Sequence, residues 1–136
     1  MNGLADWILE QTTDAVIYAG RDGNIARWNA AAAALFGHSA EEAIGRSLDL
    51  IIPEHLRAAH WKGYDAAMAS GRTRLAGRPA VTRAVRKDGG RIYVEMTFAV
   101  VRDDAGAVVG SVAIARDVTE RVQRERSAAS PAPPAQ

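Results

Sequence analysis

Between Ile92 and Val100 every second residue is apolar: Ile92, Val94, Met96, Phe98 and Val100 alternate with Tyr93, Glu95, Thr97 and Ala99. Successive side chains of a strand point to opposite faces, so this stretch predicts a long strand with one buried face. Such a strand needs antiparallel neighbours and a cover over its apolar side. The neighbours lie on either side of it. Lys87-Asp88-Gly89-Gly90 turns the chain back to residues 80–86, and Asp103-Asp104-Ala105-Gly106 turns it on to residues 108–116. Two more strands are expected near the N-terminus, at residues 14–20 and 25–28, joined by the turn Arg21-Asp22-Gly23-Asn24. Arg78-Pro79 marks residues 75–79 as loop, because proline cannot donate to a ladder.

The cover comes from the middle of the chain. Asn29 caps an alanine-rich helix over residues 30–36, ended by Gly37. Ser39 and Glu42 form a capping box for a second short helix, which Gly45 closes. Residues 48–52 are short and apolar, and Pro53 opens a longer helix that stops near Gly71. On that helix Leu56, His60, Tyr64 and Met68 recur every four residues, beside a row of Ala59, Gly63 and Ala67. Arg57, Lys62 and Asp65 fall on other faces. The result is an apolar stripe with one imidazole in its middle. A histidine so placed is ordinarily a core residue with one hydrogen bond; the other reading is a ligand.

Residues 1–12 hold a short amphipathic helix with Leu4, Trp7, Ile8 and Gln11 at helical spacing, a candidate dimer contact. Residues 13–118 form the core domain. Residues 119–127 begin a charged helix whose apolar pair is Val118 and Val122, and residues 128–136 read as a disordered tail. Two strands, a block of helices and three further strands make an α+β domain with helices on one face of the sheet.

Composition narrows the function. With 17 basic and 16 acidic residues the net charge of +1 offers no bulk attraction to nucleic acid or to a membrane surface. The absence of cysteine removes disulfides, iron–sulfur clusters, thiolate zinc sites and thiol catalysis. No apolar run approaches the ~20 residues of a membrane span, and no secretion signal opens the chain, so a cytoplasmic domain is expected. No serine lies in a nucleophile elbow and no glycine cluster forms a phosphate loop, so no enzyme activity is expected.

The wording of several segments resembles a PAS domain. The residues that carry the likeness are Asp14–Val16, Asp22-Gly23, Trp28-Asn29, Ala34-Leu35-Phe36-Gly37, Gly45 and Pro53-Glu54, then Arg86-Lys87-Asp88-Gly89 and Arg116-Asp117-Val118-Thr119-Glu120. The resemblance covers about residues 4–122. It implies a five-stranded antiparallel sheet of order 2-1-5-4-3, a ligand slot between sheet and helices, and a signalling role. It also implies pairing into a homodimer through the N-terminal helix and relay to an effector domain or partner through the C-terminal one.

A narrower likeness lies in Pro53-Glu54-His55-Leu56-Arg57-Ala58-Ala59-His60, which resembles the proximal helix of haem-binding PAS oxygen sensors. That resemblance implies that His60 ligates the iron of a b-type haem and that a diatomic gas or a redox change is the signal. Arg78, in the loop after the helix, stands where that group places a residue contacting the gas. The walls expected around such a haem are Leu56, Tyr64 and Met68 from the helix, with Met96, Phe98, Val100, Val112 and Ile114 from the strands. Ala59, Gly63 and Gly110 would leave room for a flat ligand, and Arg57, Lys62, Arg72 or Arg74 would meet its propionates. His55 and His38 read as solvent-facing and loop residues. The alternatives are a flavin or an organic acid in the same slot, or a ligand-free PAS module for homotypic pairing.

Overall fold

A computed structural model describes residues 3–129. Its strands are β1 (Ala15–Gly20), β2 (Ile25–Trp28), β3 (Ala80–Val85), β4 (Arg91–Arg102) and β5 (Val108–Asp117). They form one antiparallel sheet of order β2-β1-β5-β4-β3. The helices are α1 (Leu4–Gln11), α2 (Ala30–Phe36), α3 (Ala40–Ala43), α4 (Arg57–Ser70) and α5 (Thr119–Ala129). The α+β architecture and the strand order agree with the sequence expectation.

Local chemistry explains the element ends. The Asn29 side chain accepts from Ala32 N at 2.9 Å, and Gly37 closes α2 at φ 84°, a left-handed conformation that favours glycine. Ser39 and Glu42 make the reciprocal box that starts α3. The longer helix differs slightly from expectation: residues Glu54–Leu56 form a tighter 3-10 turn after Pro53, and the α-helix proper begins at Arg57. At the other end α5 runs two residues past 127, into the stretch read as tail; the rest of that stretch lies outside the described residues.

Asn29 is also the knot between layers. Its carbonyl oxygen accepts from Val16 N as well as Ala32 N, both at 2.9 Å. Its amide donates to Leu9 O at 2.8 Å and Asp14 O at 3.0 Å. One side chain, 4% exposed, therefore ties the end of α1, the start of β1 and the start of α2 together. Phe36, Ile17, Ile25 and Val94 fill the core around it.

The register decides which strand residues face the helices. Cross-strand partners share a face, so Ile17, Ala113 and Phe98 form one inward row and Ala19, Ser111 and Val100 the next. Tyr18, Val112 and Ala99 form an outward row, as do Val16, Ile114 and Thr97.

The last helix is anchored to β4. Val118 N donates to Tyr93 O at 2.8 Å, and Thr119 Oγ1 accepts from Tyr93 N at 2.9 Å. Arg121 pairs with Glu95 at 3.0 Å. The Arg83 and Arg126 guanidinium carbons lie 5.5 and 5.0 Å from the Tyr93 ring centre. Among the described residues no helix is long and apolar enough to cross a membrane.

Candidate functional site

Helix α4 and the sheet enclose a hollow in two adjoining lobes of about 480 and 280 Å³, within the range of small-molecule sites. Ala59, His60, Arg74, Leu75, Thr82, Met96 and Phe98 belong to both lobes. The floor of the larger lobe is built by Met96 and Phe98 of β4, Ser111 and Ala113 of β5, and Ile17 and Ala19 of β1. Its roof is Leu56, His60 and the 3-10 segment Leu48–Ile51 with Ile52. Arg74, Leu75 and Arg78 come from the loop between α4 and β3. The hollow exists because β5, where it runs under the middle, turns the small side chains of Ser111 and Ala113 inward. Close-packed interiors leave space only where side chains are too small to fill it.

His60 is the polar feature of the roof. It is half-buried, and its Nδ1 is fully buried without a hydrogen-bond partner among the described residues. Its ring meets Trp61 edge-on, with centres 4.6 Å apart and planes at 80°, and lies tilted on Tyr64 at 5.7 Å. Burial pushes the imidazole pKa below its ordinary value, opposed by the Asp49 and Asp65 carboxylates. The ring is therefore neutral near pH 7 and keeps a lone pair for a ligand. A buried polar atom left unpaired costs ~1–3 kcal/mol and is uncommon in native proteins.

The other sequence-predicted residues divide into three groups. Leu56, Met96, Phe98, Ala59 and Gly63 line the hollow, Leu56 from the 3-10 turn. Tyr64 lines the smaller lobe, but its hydroxyl is committed elsewhere. It donates to Gly20 O at 2.6 Å and accepts from Ser111 Oγ at 3.2 Å, and burial pushes its pKa up so that it stays protonated. Arg78 lines the smaller lobe while exposed, its Nε donating to Leu75 O at 3.1 Å. Arg74 lines both lobes.

A second group lies near the hollow without lining it. Met68 is buried among core side chains, and Val100 packs against that core. Lys62 and Arg72 line a shallow surface groove beyond Gly63. Arg57 is occupied: its Nε donates to Ile52 O at 3.0 Å and its Nη2 to Asp49 O at 3.3 Å.

The third group is corrected by the register. Val112 and Ile114 face away from the hollow; Ile114 is 41% exposed and Val112 borders an outer groove with Tyr18, Val16 and Leu9. In the middle of β5 the inward residues are Ser111, Ala113 and Ala115, whose small side chains carry no apolar bulk to mark the covered face. Their signal is the run of small side chains at one parity of a strand. Gly110 shares the outward parity and makes no room for a ligand. A Cβ there would stand 2.1 Å from Ala19 O, so this glycine permits a close strand approach. Ile17, Leu48, Ile51, Leu75 and Thr82 were also missed, because they reach the hollow through long-range packing that periodicity does not encode.

The donor set suits a flat, apolar group with anionic edges. Among the described residues no cluster of three or more His, Asp or Glu side chains could chelate a bare metal ion. A single neutral imidazole suffices for an iron that a porphyrin already holds. Among the described residues no carboxylate lines either lobe, while Arg74 and Arg78 supply positive charge at the loop side.

Comparison with known proteins agrees with the architecture. The family model described as PAS fold matches residues 9–123. A protein of Azorhizobium caulinodans is 35% identical over 121 residues, 88% of this chain and 16% of the relative. The oxygen sensor protein DosP of Escherichia coli is 30% identical over 120 residues, 88% of this chain and 15% of DosP. This chain thus spans about one sixth of the length of these relatives. The crystal structure of a PAS domain from Colwellia psychrerythraea superposes with a TM-score of 0.75 at 23% identity, covering 86% of this chain and 96% of that one. On its sheet order, its helix block and the extent of the family match, this chain belongs to the PAS family of sensory domains.

Proposed function

We propose that this PAS domain binds b-type haem in the hollow under α4, with His60 as the proximal ligand, and senses oxygen, another diatomic gas or redox state. The observation that carries the reading is a half-buried, neutral imidazole on the wall of an apolar hollow, with no hydrogen bond to another side chain or backbone group among the described residues. The likeness to an oxygen sensor over 120 residues supports it. When bound, the haem iron would supply the site at which a gas is held and oxidation state changes. The chain's own residues would do the rest. Leu56, Met96 and Phe98, which line the hollow, would exclude water from the bound group, and Arg74 would pair with its anionic substituents. Arg78, which lines the smaller lobe, would exchange its bond to Leu75 O for one to the bound gas.

Relay to an effector has a short path. Leu56, Thr82 and Arg83 line the hollow and also border the cleft against Val122 and Arg126 of α5. A shift of that shared wall would alter the seat of α5 on Tyr93. Pairing into a homodimer would use the outer side: Leu4, Trp7 and Ile8 of α1 are each more than half exposed, as a contact surface requires. Deletion of residues 1–11 should then lower the apparent mass in solution; an unchanged mass removes α1 from the interface.

One absorption spectrum tests the ligand. The purified protein, reconstituted with hemin if colourless, should show a Soret band that His60→Ala removes. Flavin bands would instead identify the other ligand class, and protein absorption alone after reconstitution would leave a ligand-free interaction module.

A further inference from the structure

We propose that Trp61 is the positioning residue for His60, holding the imidazole in the orientation it presents to the hollow. Trp61 lines neither lobe and touches no ligand space, yet it is fixed more tightly than a half-buried tryptophan on a helix needs to be. Its Nε1 donates to the Asp49 carboxylate at 2.7 Å, across from α4 to the 3-10 segment Leu48–Ile51. Its ring lies against the β1–β2 turn at Gly23. A Cβ on Gly23 would stand 2.2 Å from the ring, and Gly23 itself has φ +81°. Only glycine satisfies both conditions there. The ring of this anchored tryptophan then meets the His60 ring nearly at right angles, with centres 4.6 Å apart.

Tyr64 limits the same imidazole from one turn later, and it too is anchored to the β1–β2 turn, through Gly20 O. Trp61 and Tyr64 also meet edge-on, with centres 5.3 Å apart. The imidazole therefore has no hydrogen bond of its own among the described residues, and its orientation is set by two rings that do. A histidine that ligates a metal usually has its ring fixed by a hydrogen bond at the other nitrogen. Here aromatic packing takes that part, and Asp49 acts on His60 through Trp61. The consequence for ligand affinity rests on the haem reading; the orientation itself does not.

The test compares Trp61→Phe, Trp61→Leu and Asp49→Asn with the wild type in two measurements. In ligand-free protein, nuclear Overhauser contacts between the His60 and Trp61 rings should be strong, with one narrow set of His60 ring signals. Trp61→Leu should spread that set into several ring positions while cooperative urea unfolding is kept, and Trp61→Phe should restore most of the order. In hemin-loaded protein, Trp61→Leu should speed haem dissociation by about 10-fold, the low end of the usual effect of removing a support behind a metal ligand. The iron–histidine vibration should shift with it, and Trp61→Phe should fall between. Unchanged His60 ring signals in Trp61→Leu would overturn the proposal, as would a dissociation rate that follows only the loss of stability across all three variants. If the wild type takes up no hemin, the haem reading fails alone, and the ring order in ligand-free protein still decides the role of Trp61.

Discussion

Replacing Ala113 by leucine tests whether the hollow is real space. Ala113 is 9% exposed, sits in the middle strand, and faces the larger lobe between Ile17 and Phe98. The change adds three carbons, worth ~2.4 kcal/mol at ~0.8 kcal/mol per buried methylene. Ordering the leucine side chain costs ~0.5–1 kcal/mol. The ligand-free protein should therefore gain ~1.5 kcal/mol. With a urea slope of ~1.5 kcal/mol/M, the unfolding midpoint should rise by ~1 M. In a closed, well-packed core the same substitution would cost ~1–3 kcal/mol, so the sign alone decides. Equilibrium urea unfolding followed by tryptophan fluorescence reads it directly. A midpoint that falls refutes the reasoning, because it means that no space of this size lies over β5. Hemin uptake should drop in the same variant even as stability rises.

Two further outcomes follow from named groups. Asn29→Ala removes four hydrogen bonds and leaves Val16 N–H buried without its acceptor, so it should destabilise the fold by ~3 kcal/mol in urea unfolding. A loss below ~1 kcal/mol would mean that α1 and α2 are held by other contacts. The pH dependence of ligand-free protein should carry a contribution from His60, whose pKa is lowered by burial. The unfolded chain then binds the proton more tightly than the folded one. Stability is complete above the ordinary histidine value near ~6.5 and is lost as pH falls from there through the lower folded value. His38 is shifted the same way, by burial, and contributes in the same window. The difference between wild type and His60→Gln isolates the His60 part; parallel pH curves would contradict it.

Much of the fold is legible in the residues themselves. The alternation around Met96, the two glycine-bearing turns that flank β4, and the caps at Asn29 and Ser39 each follow from local chemistry that the structure reproduces. The site is legible only in part. The stripe on α4 singles out Leu56, His60 and Tyr64, but Met68 on the same stripe goes to the core, since helical spacing cannot say where a hollow ends. On β5 the sequence points the wrong way. Val112 and Ile114 carry the apolar bulk, yet the sheet buries the Ser111, Ala113 and Ala115 side instead. Bulk normally marks the covered face, but a strand under a ligand space has to be small there. Ser111 and Tyr64 reveal their pairing only in three dimensions, being 47 residues apart in the chain. The same holds for the Asp49–Trp61 and Gly23–Trp61 contacts behind His60.

The most direct measurement replaces the imidazole itself. His60→Gly removes the side chain and leaves a gap on the roof of the hollow that free imidazole can enter. Hemin added to this variant should give no specific Soret band, and imidazole in the buffer should restore one close to that of the wild type. A variant that holds haem with the wild-type spectrum, in the absence of imidazole, would contradict the assignment of His60 as the ligand.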